Sequence, residues 1–168
     1  MELSLKLTTL GLTIILTGLS AGLCFTWYNA VTPGLGKLND LGFLQSFQQM
    51  NRSIINLTFL IVFFGPFFLN LLNIYLFKGA SSTIIWLLII AMVFYFLGVV
   101  LITVLGNVPL NEMLDKIDLT AASIEELRNV REVFEVKWNR LHLIRTITST
   151  ISFLVLLISL IQISKSNI

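Results

Sequence analysis

Charge is what this chain has least of. It carries 11 Lys and Arg and 9 Asp and Glu among 168 residues, 12% in all, about half the share of an average soluble domain. With 56% hydrophobic residues and a mean hydropathy of +0.90, it cannot cover a water-soluble globule, which at about 150 residues still exposes roughly 30% of its unfolded surface. A soluble enzyme is excluded. Cysteine is nearly absent: Cys24 alone rules out an internal disulfide and a thiolate metal cluster. The single histidine, His142, offers no histidine cluster for a metal, and neither a phosphate-binding glycine loop nor a serine triad occurs. A net charge of +2 without a basic and aromatic stripe gives no surface for nucleic acid. Proline is confined to Pro33, Pro66 and Pro109, and neither proline nor glycine follows Ser123.

What is present is a set of uncharged runs: Leu7–Val31, Ser53–Phe77, Gly79–Asn111 and Thr146–Ser164. A spanning helix needs about 20 mostly apolar residues, so each run supplies one crossing and none supplies two. The expected fold is all-α, a four-helix transmembrane bundle in one integral membrane domain. Its helices are expected at about 7–31, 53–77, 83–105 and 123–163, with a polar connection over 106–122. The first run is too long for a signal-peptide core. Gly11, Gly18 and Gly22 share one helical face suited to packing, and Leu23 spoils the lipoprotein box ahead of Cys24, so helix 1 is expected to be retained.

Helix 1 is expected to end at the Val31-Thr-Pro-Gly34 turn, and helix 3 to break at Pro109, because proline disfavours helical geometry before it and frees backbone carbonyls. Before helix 2, Gln45, Gln48, Arg52 and Asn56 step by three, four and four. They form either the wet side of an interfacial helix or a polar face entering the membrane. Asn70 and Asn73 follow Gly65-Pro66; intramembrane amides bond across a helix interface or touch a ligand. Thr103, Asn107 and Asn111 step by four beside Pro109, satisfying freed backbone or facing a cavity.

The polar segment Glu112–Arg145 holds 13 of the 20 charged residues. Ser123-Ile-Glu-Glu126 is a capping box, and the absence of later breakers predicts one continuous helix whose amphipathic N-terminal half extends beyond the hydrocarbon. Arg131, Glu135, Trp138, His142, Arg145 and Ser149 recur on one face of it. Arg128, Arg131, Glu132 and Glu135 read as a solvated face. Arg145 cannot neutralise itself, and an arginine inside a bilayer costs about 2.5 kcal/mol or more, so it either snorkels or faces a partner or cavity. In the second case His142 and Arg145 enter a pocket opposite Asn51, Asn107 and Asn111, where a histidine can take a proton and an arginine can hold the resulting anion.

These residues resemble the DUF1772 family of small membrane proteins, which includes the anthrone oxygenase-like proteins. The resemblance rests on Val31-Thr-Pro-Gly-Leu35, Met50-Asn-Arg52 with Asn56, Asn107-Val-Pro-Leu-Asn111, and Trp138, His142 and Arg145-Thr146, in the family's order over nearly the whole chain. It implies oxidation of anthrones without a metal or flavin cofactor, through a substrate carbanion that reacts with molecular oxygen. His142 and Arg145 would be catalytic, and Asn51, Asn56, Asn107, Asn111 and Trp138 would bind substrate. In the family pattern the position three before the arginine is often asparagine, which puts the weight on Arg145 and Asn111. The competing reading is a non-catalytic membrane protein that binds a lipid, a hydrophobic metabolite or a partner protein. Transport finds no inverted repeat and few intramembrane charges to support it.

The expected partners are the lipid bilayer and a small hydrophobic molecule, and the oligomeric state is left open. Four crossings put both termini on one side with Lys6, Lys78 and Lys165, against eight basic residues on the side of the longer loops. Positive-inside counting favours those loops as cytoplasmic, in a bacterial inner membrane.

Overall fold

The computed structural model describes residues 2–166 of the chain, with side chains from 4 to 165. The described residues are all helical or connecting, without strands. Four helical stretches, Ser4–Leu35, Leu57–Leu76, Ser82–Asp115 and Ile124–Lys165, are long and apolar enough to cross a membrane. The protein is a multi-pass membrane protein with a four-helix transmembrane core.

The first stretch is helix α1, Glu2–Thr26, a wide turn Trp27–Val31, and a short helix α2, Thr32–Leu35. An amphipathic helix α3 covers Asp40–Ile54 and α4 covers Leu57–Leu76. The third stretch is α5, Ser82–Tyr95, then two wide turns, Phe96–Leu101 and Thr103–Asn107, then α6, Val108–Asp115. Helix α7 runs unbroken over Ile124–Ser166, about 65 Å at 1.5 Å per residue. The capping box starts it: the Ser123 N–H donates to Glu126 Oε2 at 2.7 Å and the Glu126 N–H donates to Ser123 Oγ at 3.3 Å. Just before it, the Thr120 hydroxyl and amide donate to Asp118, which holds that carboxyl below its ordinary range.

Neither Pro33 nor Pro109 ends its helix as the sequence suggests. Each stands in the first turn of a helix that directly follows a wide turn. In those turns the Thr32 and Val108 N–H groups donate to carbonyls five residues back, Trp27 and Thr103. Proline lacks a donor and its ring would strike the carbonyl four residues back; a wide turn's extra residue carries the chain past that clash. Where one helix was expected through Asn56, the chain instead breaks between α3 and α4, and Asn56 caps α4 by accepting from the Phe59 N–H at 3.0 Å.

The four spans form a closed ring in which α1 packs on α4 and α7, and α5 packs on α4 and α7. Leu10, Ile14, Leu88, Ala91 and Leu156 fill one end, and Phe63, Tyr95 and Val99 the middle. Of the three glycines expected to pack, only Gly18 does: a Cβ there would lie 2.9 Å from Phe153 Cε2, while Gly11 and Gly22 have nothing within 4 Å. Gly98 lets α7 come closest, since a Cβ would collide with Thr148. Polar side chains run down the interior. Asn73 Nδ2 donates to Thr13 Oγ1 at 2.7 Å, Ser152 Oγ donates to the Ala91 carbonyl at 2.8 Å, and the Tyr95 hydroxyl lies 2.9 Å from both Ser20 Oγ and the Phe63 carbonyl. Asn73 is thus an interhelical bond.

A second core caps the bundle where α3, α6 and the outer half of α7 meet around Phe43, Phe47, Leu114, Phe134 and Trp138. Arg131, read from sequence as part of a solvated face, clamps this cap. Its side chain is only 15% exposed; it pairs with Glu135 at 2.8 Å and Asp40 at 3.0 Å and donates to the Leu38 and Gly36 carbonyls. Arg128 and Glu132 are the exposed pair the sequence suggests. Gln48 turns inward instead and donates to the Leu114 and Ile117 carbonyls at 2.8 and 3.0 Å.

Candidate functional site

Between cap and bundle lies a cavity of about 310 Å³. The two wide turns ahead of Pro33 and Pro109, the C-terminal end of α3 and the middle of α7 converge on it. Apolar groups form most of its wall, among them Leu23, Trp27, Met50, Phe59 and Val108. Six of the seven side chains singled out in the sequence line it: Asn51, Asn107, Asn111, Trp138, His142 and Arg145. Asn56 does not; capping α4 and donating Nδ2 to the Ser53 carbonyl at 3.0 Å occupy it.

Trp138 and His142, one turn apart on α7, stack with ring centroids 4.8 Å apart, and Trp27 of the first wide turn meets both rings. Trp138 Nε1 donates to Asn111 Oδ1 at 2.9 Å, which ties α6 to α7. His142 Nε2 lies 3.0 Å from the Cys24 carbonyl. A carbonyl only accepts, so Nε2 carries a proton, and in the neutral ring Nδ1 keeps its lone pair. By the same argument Asn107 points Nδ2 at the Trp138 carbonyl, 3.4 Å away, leaving Oδ1 as a bare acceptor.

Arg145 is 8% exposed, so it does not snorkel. It has no carboxylate of the described residues within ion-pairing distance. Glu112 and Asp115 line the same cavity from its exposed rim, and Asp115 is taken by Arg52 at 2.7 Å. A guanidinium held away from water without a counter-charge is costly unless an anion compensates it. Four buried polar atoms without a protein partner belong to residues lining this one cavity: Asn51 Nδ2, Asn107 Oδ1, His142 Nδ1 and Arg145 Nε. Two are donors and two are acceptors. Among the described residues no group of three or more His, Cys, Asp or Glu is placed to hold a metal ion.

Thr103, which the sequence steps with Asn107 and Asn111 toward freed backbone or a cavity, lines it, as do Trp27 and Cys24, which sequence reasoning passed over. Trp27, like Thr103, opens a wide turn six residues before a proline; the proline is legible in the sequence and the turn is not. Cys24 offers its carbonyl to His142 and its buried thiol to Arg145 and Ser149.

Fold and site together define a small four-span helical membrane protein with a mostly apolar pocket, polar at its floor, at one end of the bundle. The sequence pattern of the anthrone oxygenase family matches residues 51–155, well over half of the chain, and the protein belongs to that family. No curated protein and no solved structure matches it.

Proposed function

We propose that the pocket binds a hydrophobic, weakly acidic molecule, takes a proton from it and holds the anion for reaction with molecular oxygen, with an anthrone-like ring system as the substrate class. The observation that carries this reading is the convergence of four unpartnered buried atoms on one apolar cavity. Buried polar groups generally find partners; the other two buried atoms without one among the described residues, Asn70 Oδ1 and Asn73 Oδ1, lie apart on α4, whereas these four share one cavity and describe a ligand that both donates and accepts hydrogen bonds. His142 Nδ1 is the base and Arg145 Nε, helped by Asn51 Nδ2, stabilises the anionic oxygen. Asn107 Oδ1 accepts from a ligand hydroxyl. Trp138 and Trp27 form an aromatic wall for a planar ring, and Asn111 holds Trp138 in place.

The step balances without a further reductant. His142 removes a proton from the ring CH₂; the carbanion gives its electrons to dioxygen as a C–O bond forms. The peroxide takes the proton back, and the O–O bond and the remaining C–H bond break to leave a ketone and water. Family membership supports the reaction class, the unpartnered Nδ1 in the cavity and not the family pattern supports His142 as the base, and an apolar pocket keeps the anion from water. The basic residues favour the longer loops, and so this pocket, on the cytoplasmic side of a bacterial inner membrane.

The test is oxygen uptake by membranes containing the protein and supplied with anthrone. Uptake above empty membranes that falls to that baseline in Arg145→Gln supports the reading. Equal uptake in wild type, variant and empty membranes overturns the catalytic step. If wild type still retains anthrone in an Arg145-dependent manner, the chain is a binding protein and not an enzyme.

A further inference from the structure

The pocket has two rims of opposite character. On the outer one Arg52 of α3 and Asp115 of α6 pair across 2.7 Å, each about half exposed, beside Glu112 and Lys116. Gln48 holds the end of α6 to α3 just behind that pair. The other rim is apolar. Ile55, at the break between α3 and α4, and Val108, at the start of α6, both line the cavity while exposing 72% and 37% of their surface. Leu57 and Leu105 beside them are 73% and 72% exposed.

Val108 precedes Glu112 by four residues, about 6 Å along the helix axis, and lies on its membrane side; Ile55 lies three residues past Arg52 on the membrane side of α3. The elements that carry this rim lean on different neighbours. α4 packs on α1 and α5, and α6 on α3 and α7. Exposed isoleucine and leucine of this extent are unfavourable against water and cost nothing against hydrocarbon. The charged rim is braced by an ion pair and an amide tether, whereas at the lipid-facing one the cavity is lined by the exposed apolar side chains of Ile55 and Val108.

We infer that the ligand reaches this pocket sideways from the bilayer, as a membrane-dissolved amphiphile that slips between Ile55 and Val108 and turns its acidic end inward to Arg145. The inference rests on the pocket reading above and adds the source of the ligand and its doorway. Each buried CH₂ favours the membrane by about 0.8 kcal/mol, so a lipophilic weak acid is concentrated in the hydrocarbon next to the slot. Its deprotonation then happens only after it has left the lipid. The reaction that supplies such a ligand must release it into the membrane, and not as a water-soluble conjugate.

The chain has three tryptophans, and Trp86→Phe leaves only the two that line the pocket. In vesicles of phosphatidylcholine brominated at mid-chain, the Trp27 and Trp138 emission of this variant is expected to fall by half or more relative to unbrominated lipid. Adding Ile55→Phe and Val108→Phe, which fill the slot, is expected to restore most of it while quenching by aqueous iodide stays low. Val108→Leu alone, a smaller change, is expected to restore part of it if the bulkier variant does not fold. Unchanged emission in brominated lipid, equal loss with the slot open and filled, or stronger quenching by iodide than by brominated chains overturns the doorway. The experiment needs no ligand. A protein quenched through the slot that neither binds nor oxidises anthrone keeps the doorway and loses the functional reading.

Discussion

Arg145 pays a stability cost for its position. It is buried, permanently charged and without a carboxylate partner among the described residues, and a buried charge without a counter-charge is costly. Arg145→Met is therefore expected to melt at or above wild type in a thermal scan without ligand, while losing anthrone retention; a melting point well below wild type would mean that Arg145 is structural. His142 separates binding from chemistry. His142→Asn can still donate toward the Cys24 carbonyl but cannot take up a proton, so oxygen uptake is expected to fall by about 10²–10⁴-fold, with anthrone retention little changed. At this scale the sequence was legible wherever helical spacing alone decides which way a side chain faces. Trp138, His142 and Arg145 on uninterrupted α7 are the clearest cases. Asn56 was misread because a helix break, and not periodicity, sets its direction.

At the scale of elements, the wide turns before Pro33 and Pro109 carry Trp27, Thr103 and Asn107 to the cavity. The sequence marks the prolines but not how the backbone absorbs them, since a turn closed by a bond to the fifth residue back leaves no residue signature of its own. The Arg131 clamp is similar. Its spacing to Glu135 suits a solvated pair, and only the fold brings the Leu38 and Gly36 carbonyls to it. Arg131→Ala leaves those carbonyls and Asp40 without their donor, and is expected to destabilise the cap by about 2–3 kcal/mol after allowing for partial exposure. Denaturation followed by a probe on α3 checks this, with the membrane-embedded helices unaffected. Gly98→Ala drives a methyl group into Thr148 and is expected to cost about 1–3 kcal/mol. Relief is expected from Thr148→Gly and not from Thr148→Ala, because the Thr148 Cβ itself is in the way.

The whole molecule divides its work between a ring of four spans, a water-facing cap and the pocket at their seam. The ring was legible from composition: runs without charge are long enough for one crossing each, and no soluble arrangement hides so many apolar residues. The seam was legible only in part, because it depends on how α3 folds back onto α6 and α7. The central claim is that His142 takes a proton from an acidic hydrophobic ligand and Arg145 holds the anion. Anaerobic titration of the reconstituted protein with anthrone tests it most directly, since the anthrone anion absorbs at longer wavelength than the neutral form and cannot proceed without oxygen. The expected result is anion absorbance that grows to one equivalent in wild type and is lost in both His142→Asn and Arg145→Gln. Absence of the anion in wild type, or its equal formation in the two variants, would contradict the account.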